Sequence, residues 1–263
     1  MSHTPPIITH IERGVMTVTL NRPHVKNAMN FEMVDALVDA FKSAANADSV
    51  RALVLRGADG TFCAGGDLKE LSSGNKDKDA IAQGNRRFGE LLELAQGFPK
   101  LLVTVAEKAA MGGGFGLVCV SDVAIAESGC RFGMPEVVLG LIPAQIAPFV
   151  CARIGLTETR RLALTGLIID GFDAQRLGLV HHHEDGEKAV EARLQIVLKQ
   201  AMKAGPEAVK TTKAILNGMA GVKGATLDEA ANLFADTLLS DEGIEGTRAF
   251  VEKRPASWME MPK

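Results

Sequence analysis

Two glycine-rich stretches decide the fold of this chain: Phe62-Cys63-Ala64-Gly65-Gly66-Asp67-Leu68 and Met111-Gly112-Gly113-Gly114-Phe115-Gly116-Leu117. Each follows an apolar run typical of a buried strand, and each is predicted to open a helix. The N–H groups in the first turn of a helix have no intrahelical partner, and the helix dipole adds positive potential there. Glycine lets a ligand approach such a turn closely. Two turns aimed at one point would stabilise the oxyanion of an enolate, as acyl-thioester chemistry requires.

Taken singly, each glycine turn is equally consistent with tight packing between a strand and a helix. Neither turn matches the common phosphate-binding signatures. The chain has no G-x-x-x-x-G-K-[ST] motif, and Leu117 stands where G-x-G-x-x-G requires its last glycine. The pattern therefore does not indicate a nucleotide phosphate site.

Composition narrows the class of protein. The chain has 263 residues, of which 46% are hydrophobic and 23% charged, so one large domain or a core with a small appendage is expected. A net charge of −3 predicts neither a nucleic-acid nor an acidic membrane partner. The four cysteines stand singly without a C-x-x-C pair, which is typical of buried thiols in a reducing compartment. The sequence shows no targeting segment or membrane helix, so we expect a cytoplasmic enzyme or binding protein.

A strand, a glycine turn and a helix occur twice, about 48 residues apart. This weak repeat predicts an α/β fold built as a spiral of β-β-α units. Asn30 is placed to cap a helix that begins at Phe31, and a long helix is expected from about Asp79 to Gln96. Strands are predicted at Ile7–Ile11, Val15–Leu20, Ala52–Leu55, Leu101–Val105 and Val123–Ala126.

After about Leu156 the pattern is almost entirely helical, with one predicted strand at Leu179–His183. The last helices are expected at Pro206–Leu216, Leu227–Leu239 and Glu242–Lys253. This shift predicts a core at residues 1–203 and a helical oligomerisation region at residues 204–263.

Glu136 is the strongest candidate for proton transfer. It lies in an apolar, glycine- and proline-punctuated stretch, where a carboxyl group would be partly desolvated and its pKa raised. The alternative is a surface glutamate in a loop. Asp67 and Asp122 stand at the start of a helix and of a strand, where structural roles are expected. No metal site is predicted at His181-His182-His183, because consecutive residues on a strand face opposite sides.

These residues, in this order, resemble the crotonase family of enoyl-CoA hydratases and isomerases over nearly the whole chain. The resemblance rests on Asn21-Arg22-Pro23 with Asn27-Ala28, the two glycine stretches, Pro135-Glu136 with Leu139-Gly140, Ile142-Pro143, and Phe250-Val251-Glu252-Lys253-Arg254. It implies a crotonase-type ββα-spiral core and a C-terminal all-helical trimerisation region. It also implies a homotrimer or a hexamer built as a dimer of trimers, with coenzyme A as part of the substrate and no separate cofactor.

By position, the resemblance implies that the N–H groups of Gly66 and Gly113 form an oxyanion hole for the thioester oxygen. It also implies a coenzyme A site that is completed, often from a neighbouring subunit, by residues near the C-terminus. The implied coenzyme A residues are Lys26, Ala64, Gly66, Asp67, Leu68, Phe234 and Lys253.

The chain departs from typical hydratases at one catalytic position. These enzymes carry two glutamates; one matches Glu136, but the other falls on Gly116. One glutamate is compatible with a Δ3,Δ2-enoyl-CoA isomerase, which needs a single base. It is also compatible with a hydratase that receives help from its substrate or a polar neighbour. A non-catalytic family member that binds a CoA ester or RNA is a further alternative, although RNA would require a basic patch.

The segment that follows Glu136 favours hydration. Its Pro-Ala-x-Ile-x-Pro pattern resembles the methylglutaconyl-CoA and isohexenylglutaconyl-CoA hydratases of leucine and acyclic terpene catabolism, with the isohexenyl type preferred. Their substrates carry a second carboxylate, and they tend to have glycine at the Gly116 position. Gln145 is the candidate for positioning the water or that carboxylate, or it is a surface residue at a helix start. Phe88, Leu91 and Leu92 are expected in the acyl pocket or the core.

Overall fold

The computed structural model describes residues 4–67, 78–139 and 141–220, together with the single residues 241, 245, 252, 254, 255 and 257. Its strands are β1 Ile7–Glu12, β2 Val15–Leu20, β3 Ala52–Gly57, β4 Leu101–Ala106, β5 Ala109–Met111, β6 Val123–Glu127, β7 Arg131–Gly133, β8 Ile168–Ile169 and β9 His182–Glu184. Its helices are α1 Phe31–Asn46, α2 Lys78–Gln96, α3 Gly113–Cys119, α4 Ala147–Thr165, α5 Gly171–Arg176, α6 Glu187–Ala201 and α7 Pro206–Ala220. None of the helices in these ranges has the length and apolar character needed to cross a membrane.

The main sheet has six strands in the order β1-β2-β3-β4-β6-β9, in which β1 is antiparallel to β2 and all other neighbours are parallel. The central strands are apolar on both faces because both faces are covered. On β3, Leu53 and Leu55 pack into the larger core with α1, while Ala52 and Val54 pack into a second core with α6. The alternation follows from the two-residue period of a strand.

A small second sheet carries the glycine turns. It has the order β5-β7-β8, with β5 parallel to β7 and β7 antiparallel to β8. Cys63 adds an isolated bridge to Ala110 at its edge. This sheet was not predicted, because strands of two or three residues are too short to show a period.

Most of the long elements begin where the sequence predicts. The five predicted strands of the main sheet are confirmed, and so are the helices α1, α2 and α7. The Asn30 side chain accepts a hydrogen bond from the N–H of Met33 at 3.1 Å, which confirms the predicted cap of α1. The helix predicted to follow the first glycine stretch and those at Leu227–Leu239 and Glu242–Lys253 lie outside the described residues, apart from single positions.

The structure corrects two predictions about the C-terminal half. The strand expected at Leu179–His183 is present in the main sheet but begins at His182 and ends at Glu184, because the N–H groups of Leu179 and Val180 donate to Ala174 and close the end of α5. The stretch after Leu156 is also not wholly helical outside that strand, since β8 pairs with β7. A two-residue strand depends on its partner, which the local sequence does not specify.

Candidate active site

Hydrogen bonds through Cys63 bring the two glycine turns together. Its N–H donates to the carbonyl of Ala109 and its carbonyl accepts from Met111, both at 2.9 Å. Gly65, with φ +106°, lies so close to this strand that an added Cβ would be 3.3 Å from the Met111 oxygen. The first turn therefore runs alongside β5, which leads directly into the second turn.

One N–H group of each turn lies outside the hydrogen-bond pattern of its strand or helix. Gly66 forms a bridge with Met29, but the hydrogen bonds of this bridge are made by Gly65 and Asp67, so the N–H of Gly66 points away from Met29. Gly113 begins α3, so its N–H has no intrahelical acceptor. Neither N–H donates to a backbone carbonyl among the described residues. The oxyanion-hole role predicted for Gly66 and Gly113 stays a prediction.

The Glu136 carboxylate converges on the same place. Glu136 lies in the 3-10 turn Pro135–Leu139. An added Cβ at Gly112, where φ is +48°, would lie 2.9 Å from Glu136 Oε1 and 3.8 Å from the Cα of Gly65. A side chain at Gly112 would therefore displace the carboxylate or the first glycine turn.

Glu136 has the electrostatic surroundings of a proton-transfer group. Its Oε2 is buried and makes no hydrogen bond within the described part of the chain. Burial raises the pKa of this carboxyl group above its ordinary value of 4.5, against a smaller lowering by its own backbone N–H. A carboxylate in a site with little water, with one oxygen that accepts no hydrogen bond, is a stronger base than a carboxylate in water.

Apolar side chains occupy the position of the second glutamate. Gly116 is buried in α3, and an added Cβ there would lie 2.6 Å from Cγ2 of Ile146 and 3.4 Å from Cδ1 of Leu92. An added Cβ at Gly113 would lie 3.0 Å from Cζ of Phe88. Among the described residues, Phe88, Leu92 and Ile146 form the apolar wall that faces Gly113 and Gly116. The role of Ile146 was not predicted, because nothing in the local sequence places it over α3.

Comparison with known proteins assigns the family. Residues 10–261 match the Enoyl-CoA hydratase/isomerase family. This chain belongs to that family. It is similar to the 2,3-dehydroadipyl-CoA hydratase of Escherichia coli K12, with 31% identity over 94% of this chain and 96% of that protein. It is also similar to the mitochondrial methylglutaconyl-CoA hydratase of Mus musculus, with 28% identity over 94% and 81% of the two chains.

Solved structures give the same assignment. Pseudomonas aeruginosa AtuE is 50% identical, with a TM-score of 0.92 over 97% of this chain and 100% of that one. An enoyl-CoA hydratase/isomerase from Marinobacter aquaeolei is 43% identical, with a TM-score of 0.92 over 97% and 99%. The predicted crotonase-type α/β fold is confirmed. The chain is an enzyme of the enoyl-CoA hydratase type, in a family that acts on acyl-CoA substrates.

The residues expected to bind coenzyme A lie partly within the described chain. The Lys26 carbonyl accepts from the N–H of Ala64 at 3.0 Å, so the exposed Lys26 is next to the first glycine turn of the hydratase. Asp67 forms an ion pair with Arg22 at 2.9 Å, which supports its predicted structural role. Leu68, Phe234 and Lys253 lie outside the described residues.

Asn27 holds the segment that leads into the first glycine turn, and no role was predicted for it. It is fully buried and has a φ of +55°. Its Oδ1 accepts from the Arg22 N–H at 2.8 Å, and its Nδ2 donates to the carbonyls of Ala58 and Thr61. A buried amide with its hydrogen bonds satisfied fixes a loop in one conformation. A buried asparagine at positive φ leaves no periodic signal in the sequence.

The Gln145 side chain is hydrogen-bonded to helix α2. Its Nε2 donates to Asn85 Oδ1 on α2 at 3.0 Å. It directly precedes Ile146, so it lies beside the apolar wall of the site. The predicted role of Gln145 toward water or substrate stays a prediction.

Asp122 and the histidine run make hydrogen bonds that link secondary-structure elements. The Asp122 carboxylate accepts from the N–H of Leu102 and from Lys213 Nζ, both at 2.7 Å, and so links β4 to α7. In the histidine run, His181 Nδ1 accepts from the N–H of Ala124, whereas His183 Nδ1 bonds to Gln175. No group of metal-ligating side chains is found in the described ranges.

Replacing Glu136 by glutamine should make the enzyme more stable at pH 8 and leave its stability unchanged near pH 4. A raised pKa means that the folded state holds the proton more tightly than the unfolded state. Below about pH 4.5 the carboxyl group is protonated and does not lower the free energy of unfolding. Above its folded pKa the buried carboxylate is ionised and lowers the free energy of unfolding. The measurement is Tm against pH for both proteins. The exposed Glu187, in the first turn of α6, is the control, because its change to glutamine removes a favourable dipole interaction instead. A difference in Tm between Glu136→Gln and the parent enzyme that does not change with pH would show that burial does not raise the pKa of Glu136.

Proposed function

We propose that this enzyme adds water to a branched glutaconyl-type CoA ester, isohexenylglutaconyl-CoA or methylglutaconyl-CoA. The observation that carries the proposal is the single glutamate at the convergence of the glycine turns, opposite an apolar wall at Gly116. Such an enzyme would act in acyclic terpene or leucine catabolism. Coenzyme A enters as part of the substrate, and the proposed reaction uses no other cofactor.

In the proposed mechanism, the thioester oxygen accepts hydrogen bonds from the N–H groups of Gly66 and Gly113. Glu136 takes one proton from a water molecule as the water oxygen forms a bond to C3 of the substrate. The electron pair of the C2–C3 double bond moves to the thioester oxygen, where the two N–H groups stabilise the enolate. Glu136 then returns the proton to C2. The product has gained one water, and the glutamate ends as a carboxylate.

A second carboxylate on the substrate would fill a gap in this mechanism. In a site with two glutamates, the second one helps to hold the water, but here Ile146 and Leu92 occupy that side. A glutaconyl ester brings its own carboxylate, and we propose that Gln145 binds it. The names of two relatives, the dehydroadipyl-CoA and methylglutaconyl-CoA hydratases, also refer to esters of dicarboxylic acids.

The remaining parts of the proposal concern the assembly. Lys26, Ala64 and Asp67 form one side of the proposed coenzyme A site. Phe234 and Lys253, which the resemblance places in the same site, come from the C-terminal region and often act in a neighbouring subunit. We accordingly propose a homotrimer, or a hexamer of two trimers, that works in the cytoplasm without nucleic-acid or membrane partners.

A panel of four esters tests the proposal: crotonyl-CoA, 3-hexenoyl-CoA, 3-methylglutaconyl-CoA and isohexenylglutaconyl-CoA, with products followed by mass. We expect a gain of one water on a glutaconyl ester and at least tenfold lower kcat/KM on crotonyl-CoA. A shifted double bond in 3-hexenoyl-CoA at unchanged mass, without hydration of the glutaconyl esters, would contradict the proposal and favour an isomerase. Equal rates on crotonyl-CoA and the glutaconyl esters would refute the role of the substrate carboxylate.

A further inference from the structure

Polar side chains from two elements meet over Gly89 of α2. An added Cβ at this buried glycine would collide with Oε1 of Gln145 and would lie 2.8 Å from Nη1 of Arg86. Gln145 Nε2 also donates to Asn85 Oδ1, one turn earlier on the helix. A glycine in the middle of a helix is less favourable than alanine. Its position here leaves room for the amide of Gln145 and the guanidinium of Arg86.

This polar cluster, formed by Asn85, Arg86 and Gln145, borders the candidate active site. Phe88, next to Gly89, contacts the oxyanion-hole residue Gly113, and Leu92, one turn further, contacts Gly116. Ile146, next to Gln145, completes the apolar wall. The cluster therefore lies beside the apolar wall that faces Gly113 and Gly116.

Within the described residues, one donor of the Arg86 guanidinium is used: Nη2 donates to Glu93 Oε2 at 2.8 Å, Glu90 lies near enough to act on its charge, and the side chain is 48% exposed. Arginine presents five N–H donors in a planar fork, and Nη1, on the side of Gln145, has no hydrogen-bond partner within the described residues. An exposed pair of this kind contributes little to stability. The fork also matches the two oxygens of a carboxylate.

We propose that Arg86, Gln145 and Asn85 form the subsite that binds the distal carboxylate of a dicarboxylic acyl-CoA substrate. Arg86 supplies the charge, and the amides of Gln145 and Asn85 supply further N–H donors once they exchange their mutual hydrogen bond for the ligand. The inference rests on the proposed function, because it specifies the substrate group that the same site recognises.

The test compares binding of glutaryl-CoA and butyryl-CoA by titration calorimetry. Both are saturated and are not hydrated, and both carry the same coenzyme A phosphates, so their affinity ratio isolates the distal carboxylate. We expect Arg86→Gln to weaken glutaryl-CoA by about tenfold to a hundredfold, as for loss of a charged hydrogen bond. Butyryl-CoA affinity should stay within about twofold. Gly89→Ala, which displaces Gln145, should produce the same selective loss.

Arg87 is the matched control. It is the next residue on α2 and loses the same charge in Arg87→Gln, but it forms an ion pair with Asp35 of α1. Its variant should bind both esters as the parent enzyme does. The subsite would be overturned if Arg86→Gln weakened the binding of both esters equally or of neither. It would also be overturned if Arg87→Gln selectively weakened the binding of glutaryl-CoA.

The binding test separates this inference from the proposed reaction. If the enzyme hydrates no glutaconyl ester but binds glutaryl-CoA through Arg86, the subsite stands and the proposed reaction fails. If the enzyme hydrates a glutaconyl ester and Arg86→Gln leaves its KM unchanged, the subsite fails and the reaction stands.

Discussion

Glu136→Gln should lower kcat for hydration by about 100-fold to 10,000-fold, the usual contribution of a positioned acid–base group, while CoA-ester affinity stays nearly unchanged. Glutamine keeps the volume of the side chain but neither takes a proton from water nor delivers one to carbon. The buried Oε2 has no hydrogen-bond partner among the described residues, so the substitution breaks no hydrogen bond to that atom within them. The measurement is steady-state turnover of the best ester in the panel, with binding of a saturated ester in parallel.

The control for this loss is Glu187→Gln. Glu187 lies on α6, which packs on the second core at the far face of the main sheet. The variant should retain parental kcat and KM. Full activity in Glu136→Gln would exclude this carboxylate as the proton-transfer group, and a loss confined to ester affinity would show that it binds rather than catalyses.

Gly114→Ala should reduce kcat/KM by about 100-fold or more, the loss that follows removal of one oxyanion-hole donor. An added Cβ at Gly114 would lie 2.8 Å from the Cβ of Cys63 and 2.9 Å from its carbonyl oxygen. The backbone of Cys63 holds the two glycine turns together, so relief of this collision separates them. The N–H groups of Gly66 and Gly113 would then no longer converge on one oxygen, as the proposed oxyanion hole requires. The measurement is kcat/KM on the same ester, with Tm recorded to separate misfolding from lost activity.

Gly129→Ala is the control for the added methyl group. An added Cβ at Gly129 would meet nothing within 4 Å among the described residues, and its φ is outside the left-handed region. This variant should keep parental activity and Tm. Parental activity in a folded Gly114→Ala enzyme would mean that the spacing of the two turns does not govern catalysis.

The elements that could be predicted from the amino-acid sequence are those that neighbouring residues specify. The alternating and continuous apolar runs predicted five strands of the main sheet, because the period of a strand is two residues and its covered faces must both be apolar. Asn30 predicted the start of α1, since a cap acts over three residues. The two glycine turns and the desolvation of Glu136 could also be predicted from the sequence. Glycine and proline determine the local backbone conformation, and apolar neighbours desolvate the carboxyl group beside them.

The tertiary structure alone decided what faces these groups. Whether Gly116 left room for a second acid–base partner depended on Ile146, which comes from the start of a different helix. The meeting of Gln145 with Asn85 and Arg86 depended on how that segment lies against α2. Short strands such as β8 likewise existed only because a partner strand was adjacent. Such contacts arise from side-chain volumes and element packing between residues far apart in the chain, and no local period or spacing encodes them.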